Sequence, residues 1–474
     1  MISRWSEKQR GFMKAIRIKR FKGFKDSGWL NLKPITLFFG YNSSGKSSIL
    51  NALLMLKQSL SNYSKEVPFV FSKKNGVDLG GFEDIVYEKK IDHKSPIEIG
   101  LKLDIAEELK EIGYPKGIFD SFKKNPENSF NEIEFNFHIT YNQKRRINVI
   151  SLFEILNTIN NKRILKMKLS QVSSNAIKKF ESEEYEIKDL KIDINWYNFL
   201  PIIQVKSDPE HPLRLISEAI NNKIIKYFQN LSNIGPVRAI PERTQQFIGE
   251  KPLTVGINGE EAFKLLYLSK YNEKNATESN LENQVNQWLE NYNYKFQWNL
   301  LKGNLGQFIL KDTRTEIEVS IKDVGFGISQ VLPIVIQVFD PVNESTIIME
   351  QPEIHLHSKA QSELADLFIK AIKKNQKETL IIETHSENLL LRLRRRIGEN
   401  KLEEKNPLKI NKNEVAVYYI SNKDGYSKTT EIQFDDSGNF LSPPEEFLDF
   451  FSDDFQEILK ISEITAKIKQ KEQK

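Results

Sequence analysis

"GYNSSGKSSIL", residues 40–50, follows the apolar run Ile35–Phe39 and leads into Ile49, Leu50, Leu53, Leu54 and Leu56. Those last residues recur at helical spacing. The order is therefore strand, glycine-framed loop, helix. Gly40, Gly45, Lys46 and Ser47 fit the pattern G-x-x-x-x-G-K-[ST]. Each residue type has a physical reason to be there. Glycines let backbone N–H groups turn inward and approach phosphate oxygens closely. The lysine sets a point charge at the β- and γ-phosphates, the serine hydroxyl ligates Mg²⁺, and the helix N-terminus faces the anion. The alternative is a polar turn. A strand before the loop and a helix after it favour the phosphate loop.

Three stretches far downstream add to that reading. "TIIMEQPEIHLH" is an apolar strand that ends in acids. Glu350 is the candidate on the metal side, and Glu353 or Gln351 the candidate to orient an attacking water. "LIIETHSEN" gives a second apolar strand ending at Thr384 and His385. A neutral imidazole at a sheet's carboxyl edge can hydrogen-bond a γ-phosphate or the water that attacks it. "DVGFGISQ" places Gly325, Gly327, Ser329 and Gln330 ahead of an apolar helix, a weaker candidate for a second anion cradle.

Working outward, Ile16, Ile18 and Phe21 alternate with basic residues, so 13–39 reads as two strands. Residues 76–88 read as a glycine-punctuated loop leading to a short strand. From about residue 97 the chain alternates as an antiparallel sheet would. The Asn- and Lys-rich stretch 145–232 reads as short strands and a helix near 213–229. "VNQWLENYNY" reads as a helix and "FILKDTRTEIEVSI" as a hairpin. Residues 323–424 then alternate helix and apolar strand, which means a mostly parallel sheet covered on both faces. The divisions expected are 13–100 and 233–440 as the two halves of one nucleotide-binding unit. Between them lies an insertion over 101–232, and 441–474 forms a short helical segment.

The 474 residues carry 69 basic and 64 acidic side chains, a net +5, which permits a nucleic-acid patch without arguing for one. Cysteine is absent, which excludes disulfides and Cys-ligated zinc. No apolar run approaches the ~18–20 residues of a membrane span, and the N-terminus lacks a signal-peptide core. A cytoplasmic protein is the expectation. Residues 1–12 read as an unstructured leader, with Met13 an alternative start.

The motifs together, in this order, resemble the ATP-binding-cassette type of AAA ATPases, and within it the RecF-like and OLD-like (overcoming lysogenization defect) branch of bacterial defence and repair systems. "ITLFFGYNSSGKSSILNALLMLKQSL" resembles its Walker A, "DVGFGISQVLPI" its signature, "IIMEQPEIHLH" its Walker B and "ETHSENLL" its switch histidine. "DLGGFEDIVY", "IGPVRAIPER" and "PPEEFLDFFSDDFQEILKI" are similar to a subgroup with a short C-terminal domain of unknown function. The likeness covers about 13–90 and 230–460. It implies a P-loop α/β fold of ABC-ATPase type with a mixed, mostly parallel sheet; the antiparallel β subdomain and the α/β insertion are added from the residue patterns above, and the resemblance does not extend to the insertion. The likeness implies ATP and Mg²⁺ as cofactors. By position, Gly40, Asn42, Ser43, Ser44, Gly45, Lys46, Ser47 and Ser48 would hold phosphate, with Ser47 and Glu350 on the metal. It also implies a head-to-tail dimer or higher oligomer, in which Gly325, Gly327, Ser329 and Gln330 reach across to the partner's nucleotide. His385 would sense the γ-phosphate.

One departure matters. The family's Walker B ends in Asp-Glu-Pro, whereas here Glu350-Gln351-Pro352 stands. Gln351 occupies the usual position of the catalytic base and cannot accept a proton as a carboxylate would. Glu353 is the residue that could compensate, so slow hydrolysis is expected. About fifty residues follow "AVYYISNKDGYSK", too few for a Toprim nuclease, so any cutting chemistry would belong to a separate effector. The alternatives are a non-hydrolysing ATP-gated scaffold that restrains an effector, and a RecF-like repair ATPase. The second would use Arg392, Arg394, Arg395 and Arg396 on DNA; a solvated helix face paired with nearby acids is an equal reading of that cluster. His355 and His357 with Glu353 are a weak zinc candidate, since two histidines at i, i+2 on a turn lack a third ligand nearby in sequence. Arg238 and Arg243 read as salt-bridge formers.

Overall fold

The run Ile35–Phe39 becomes a strand buried along its whole length, because apolar side chains leave it on both faces. The computed structural model describes residues 13–451 except 65, 74–75, 92–94, 114–131, 159–162, 171–172, 184, 186, 188–189, 270–279, 341–343, 402–406, 423 and 450. The expected leader and the end of the C-terminal segment, 452–474, lie outside the described residues.

Ile35–Phe39 sits inside a seven-stranded sheet. Its order is Leu231–Ile234, Thr346–Glu350, Thr379–Thr384, Ile35–Phe39, Val415–Ser421, Lys428–Phe434, Phe440–Leu441. The first five strands are parallel and the last two antiparallel. The strand carrying Glu350 is thus separated from the loop strand by Thr379–Thr384. Register pairs Glu350 with Glu383, and Thr384 with Phe39. Three carboxyl ends therefore meet where the loop begins at Gly40.

Alternate residues of these strands serve two cores. Phe38, Ile348, Ile381, Ala416 and Tyr418 face the helix Lys46–Leu60 and an antiparallel sheet. Leu37, Phe39, Ile347, Met349, Ile382 and Val417 face the helices Phe326–Phe339, Ser358–Lys374 and Glu387–Gly398. This two-sided cover is what the uninterrupted apolar strands require. The antiparallel sheet joins Met13–Phe21 to Ile97–Asp104, and Glu132–Asn142, Ile147–Asn157, Arg163–Ser170 and Ser173–Glu181 extend it. A smaller sheet is built on the hairpin Tyr294–Leu301 and Leu305–Asp312.

Residues 82–89 correct the expectation of a short strand. Asp84 accepts from the Gly81 N–H at 2.9 Å, which starts the short helix Phe82–Ile85. A 3₁₀ turn, Tyr87–Lys89, follows, and only Val86 bridges to Phe21. The helix expected near 213–229 is present as Pro212–Gln229. It packs on Lys46–Leu60 and on Ala106–Glu111.

That second contact encloses an ion pair. Lys223 Nζ lies 3.2 Å from Glu108 Oε1, with side chains only 4% and 3% exposed. Removing one partner strands a charge out of water. Lys223→Met should therefore lower the unfolding free energy by about 3–5 kcal/mol in urea titration, and the double change with Glu108→Leu should recover most of it. Equal stability of Lys223→Met and the parent would show that the pair is dispensable.

Candidate functional site

The loop's shape depends on its two glycines. Gly40 has φ +152°, and a Cβ there would stand 2.3 Å from the Ile420 carbonyl oxygen. Gly45 has φ +109°, and a Cβ would stand 2.2 Å from Ser427 Oγ. No side chain caps the helix that starts at Lys46, so its first amides are served by no side-chain acceptor. Tyr41, Asn42 and Ser43 are exposed, while Ser44 and Ser48 are buried. Lys46 is 3% exposed, and its amine donates to the carbonyls of Gly40 at 3.0 Å and Tyr41 at 2.7 Å. Burial lowers its pKa, opposed by the charges of Glu383 and Glu353.

Ser47 Oγ donates to Glu383 Oε1 at 3.0 Å. Glu383 was not singled out from the sequence. The signal was available: it ends an apolar strand, one position before the Thr-His pair. Only the strand order, which sets Thr379–Thr384 beside the loop strand, shows that it meets Ser47. Glu383 is 5% exposed, and burial raises its pKa against the pull of Ser47 and Lys46. Glu350, opposite it in register, is pushed up to about 7 by burial and then by the Glu383 charge.

Glu353 is 7% exposed and turned inward, where Oε1 accepts from the His385 N–H at 2.7 Å. Burial raises its pKa too. His385 is held below its ordinary pKa by burial first and Lys46 second, with its imidazole hydrogen-bonded to the Gly40 backbone. Gln351 adopts φ +46°, a left-handed conformation unusual for a non-glycine residue. Its N–H donates to the Glu383 carbonyl at 2.7 Å, which locks the turn after the acid strand. Arg238 completes the lock. It is 5% exposed, and Nη2 donates to the carbonyls of Glu350 and Gln351 at 3.2 and 3.1 Å. The expected salt bridge is corrected to a carbonyl clamp, with burial lowering the guanidinium to about 10 despite the Glu353 countercharge. Arg243 does pair with Asp323, at 2.7 Å.

Glu383 Oε2 and Glu353 Oε2 are buried without a hydrogen-bond partner among the described residues. With Ser47 and Glu350 they are hard oxygen donors, which suits Mg²⁺. Among the described residues no three His, Cys, Asp or Glu could hold a metal by themselves. Mg²⁺ is ordinarily bound through one or two carboxylates, with substrate phosphates and water supplying the rest, so the residues fit. The weak zinc reading finds no support in this arrangement: His355 and His357 are exposed, while Glu353 points at the His385 amide.

Gly325 precedes the helix Phe326–Phe339. Gly327 packs on the His355 carbonyl, 3.2 Å from where a Cβ would stand. Ser329 and Gln330 are 5% and 3% exposed. Ser329 lines a cleft of about 380 Å³ with Glu242, Gln245, Glu260, Phe263 and Pro333. One chain therefore gathers Gly40–Ser48, Glu350, Glu353, Glu383 and His385, and presents Ser329 to a separate cleft.

The family described as AAA ATPase domain matches residues 13–390. The chain belongs to that family. No curated protein matches the chain. Among solved structures it is similar to the SmcHead bound to the C-winged helix domain of ScpA, at 11% identity over 89% of this chain and 98% of that one, TM-score 0.43. It is also similar to the SMC head domain from Thermotoga maritima, at 9% identity over 89% and 99%, TM-score 0.37. A third is the Smc head domain with an extended coiled coil, bound to the C-terminal domain of ScpA derived from Pyrococcus furiosus, at 11% identity over 89% and 96%, TM-score 0.40. Likeness at that level carries no argument about this chain. No described helix is long and apolar enough to cross a membrane.

Glu350 gives the site a pH signature. Its folded value of about 7 lies above the 4.5 of a free glutamate, so between the two the folded chain holds a proton that the unfolded chain has released. That stabilising contribution is full below 4.5 and is lost as pH rises through 7. The stability of nucleotide-free protein in urea should fall between about pH 5 and about pH 8. Glu350→Gln should lessen the fall, whereas identical profiles for both proteins would contradict this account.

Proposed function

We propose that the protein is a cytoplasmic ATPase that binds ATP with Mg²⁺ at Gly40–Ser48 and closes head-to-tail around it as a dimer or higher oligomer. We further propose that it serves as the sensor or regulatory subunit of a bacterial antiphage defence system with a separate effector, such as a nuclease. Membership of the AAA ATPase family supports the nucleotide. The observation that carries the reading is the Ser47–Glu383 hydrogen bond at the head of the loop helix, with Lys46 buried next to Ser47 and the half-buried Glu350 opposite Glu383 in register. The biological role is supported by the motif resemblance alone.

In this reading Ser47, Glu350 and Glu383 hold Mg²⁺, which when bound neutralises charge on the phosphate oxygens. Lys46 exchanges its two loop carbonyls for phosphate oxygens. His385, neutral and anchored on Gly40, donates to or accepts from the γ-phosphate region. Glu353 and Arg238 position: the first fixes the His385 backbone, the second fixes the carbonyls after the acid strand. Gln351 can orient a water but cannot take its proton, and Glu353, the residue left to compensate, holds the His385 amide with one of its two oxygens, so slow hydrolysis is the expectation. Ser329 on its own cleft suits contact with the nucleotide of a second copy, and ATP would hold the two together.

Gln351 equally favours a second reading, a scaffold gated by ATP that does not hydrolyse it. The repair reading loses its support from the arginine cluster. Arg392 pairs with Asp366 at 2.7 Å, Arg396 with Asp366 and Glu399 at 2.7 and 2.9 Å, and Arg395 with Glu399 at 2.9 Å. Arg394 lies 4.8 Å from the Phe440 ring. These side chains brace the helix against its own neighbours.

Equilibrium dialysis with Mg²⁺ and ATP should show uptake that Lys46→Ala weakens by about tenfold or more. Ser329→Arg should keep the uptake but lose the ATP-dependent dimer in light scattering. Uptake unchanged in Lys46→Ala would overturn the nucleotide site. A dimer that survives Ser329→Arg would overturn the closure. Rapid phosphate release that persists in Glu353→Gln would refute slow hydrolysis.

A further inference from the structure

The strand Thr379–Thr384 carries Glu383 and Thr384 to the carboxyl edge of the sheet, and Glu378 stands just before its other end. Glu378 is 1% exposed, and neither oxygen of its carboxyl has a hydrogen-bond partner among the described residues. Ser345, 2% exposed, stands just before the neighbouring strand Thr346–Glu350, and its hydroxyl also lacks a partner among them. The parallel ladder brings the two together. Thr346 pairs with Thr379, and the Thr379 N–H donates to the Ser345 carbonyl at 3.0 Å, so Ser345 and Glu378 lie side by side one step before that pair.

Alternation sets their faces. Ile347 and Met349 on one strand, and Leu380 and Ile382 on the next, belong to the core under the helices Phe326–Phe339 and Ser358–Lys374. Two residues before Ile347 and Leu380, Ser345 and Glu378 point to that same side. Lys374, at the end of the second helix, is the described charged group that acts on Glu378, and its ammonium donates to Gln284 Oε1 at 2.9 Å and the Phe339 carbonyl at 3.3 Å. The other described charges at this end are engaged elsewhere. Lys377 and Lys226 hold Glu344, Lys251 holds Asp340, Lys33 reaches the Val415 carbonyl and Glu431, and Lys373 the carbonyls of Pro407 and Lys409. Residues 341–343, outside the described residues, are Pro, Val and Asn and carry no titratable group. A buried carboxylate with neither cation nor donor is costly, and such a group gives up its charge instead. One proton resolves both unpartnered groups, because a neutral carboxyl gains an O–H donor and the Ser345 oxygen can accept from it. Burial pushes Glu378 up to about 8 against the pull of Lys374. The plainer account, a solvated acid ahead of a strand, does not fit a side chain so fully covered.

We propose that Glu378 is a pH-sensitive joint between the helix Ser358–Lys374 and the strand Thr379–Thr384: its neutral carboxyl donates to Ser345 Oγ, and release of that proton to solvent loosens the amino end of the strand. The joint lies five residues from Glu383, about 16 Å along the strand, so it is separate from the phosphate loop and does not depend on what binds at Lys46. Its sign is fixed by the two states. The folded value of about 8 lies above the 4.5 of a free glutamate, so the stabilising contribution is full below 4.5 and is lost as pH rises through 8.

The test is an alkaline titration of the full chain followed by difference infrared spectroscopy, with urea unfolding beside it. Both are run in the Glu350→Gln background, so that the other acid titrating in this range is silent. A carboxylic-acid C=O band should bleach with a midpoint near 8, and Glu378→Gln should lack it. Ser345→Ala should lower that midpoint by about half a pH unit to one unit, because the neutral acid loses its acceptor. In urea at about pH 9, Glu378→Gln should unfold at a higher concentration than its parent, and the gap should shrink toward about pH 5. The proposal is overturned if Glu378→Gln keeps the bleaching band, if Ser345→Ala leaves the midpoint in place, or if the urea profiles of Glu378→Gln and its parent run parallel at every pH. None of these results bears on the nucleotide reading, which is judged by ATP uptake.

Discussion

Two carboxylates kept out of water and a third half-buried, beside one buried lysine, constrain the carboxyl edge of this sheet. Glu350, Glu353 and Glu383 all have raised pKa values, and burial is the first cause each time. Lys46 supplies one positive charge against them, and Arg238 a second one behind the turn. Buried charge is tolerated only where it is paired or coordinates a metal. A bare triphosphate would gain from Lys46 and lose against the acids. A bare metal would find too few protein ligands. The arrangement therefore favours metal and nucleotide arriving as one unit, each supplying what the other lacks.

The fold explains how such an edge is held. Parallel register brings Glu350 opposite Glu383, and Gln351 bonds to the Glu383 carbonyl, so the two strand ends cannot separate without breaking backbone pairing. Gly40 lies against Ile420 and Gly45 against Ser427, which leaves no room for a Cβ and pins the loop from its other side. The His385 amide on Glu353 and the imidazole on Gly40 tie both sides together. A change at one strand end is thereby felt at the others, which is what a nucleotide-responsive device needs.

Much of this was legible in the residues. Ile35–Phe39 and the helix after Gly45 announce strand, loop and helix by period alone, and the apolar strands of 346–384 announce a sheet covered on both faces. What one strand meets in its neighbour is not local information. Glu383 sits in plain view in "ETHSEN", yet only the order of strands puts it on Ser47. Arg238 looked like a salt-bridge former because the backbone turn it clamps is more than a hundred residues away. For the arginines of 392–396 a DNA-facing patch and a helix face paired with acids are equal readings in the sequence, and Asp366, on the neighbouring helix, decides for the second. The helix at 82–85 escaped because one Asp–amide bond, not periodicity, starts it.

The interdependence of metal and nucleotide can be read directly with Mn²⁺ in place of Mg²⁺, by electron paramagnetic resonance on the full chain. The account predicts that one Mn²⁺ per chain is immobilised only when ATP is present, and that Glu383→Gln releases it while ATP is still supplied. Mn²⁺ held equally tightly without ATP, or held unchanged after Glu383→Gln, would contradict the account at its centre.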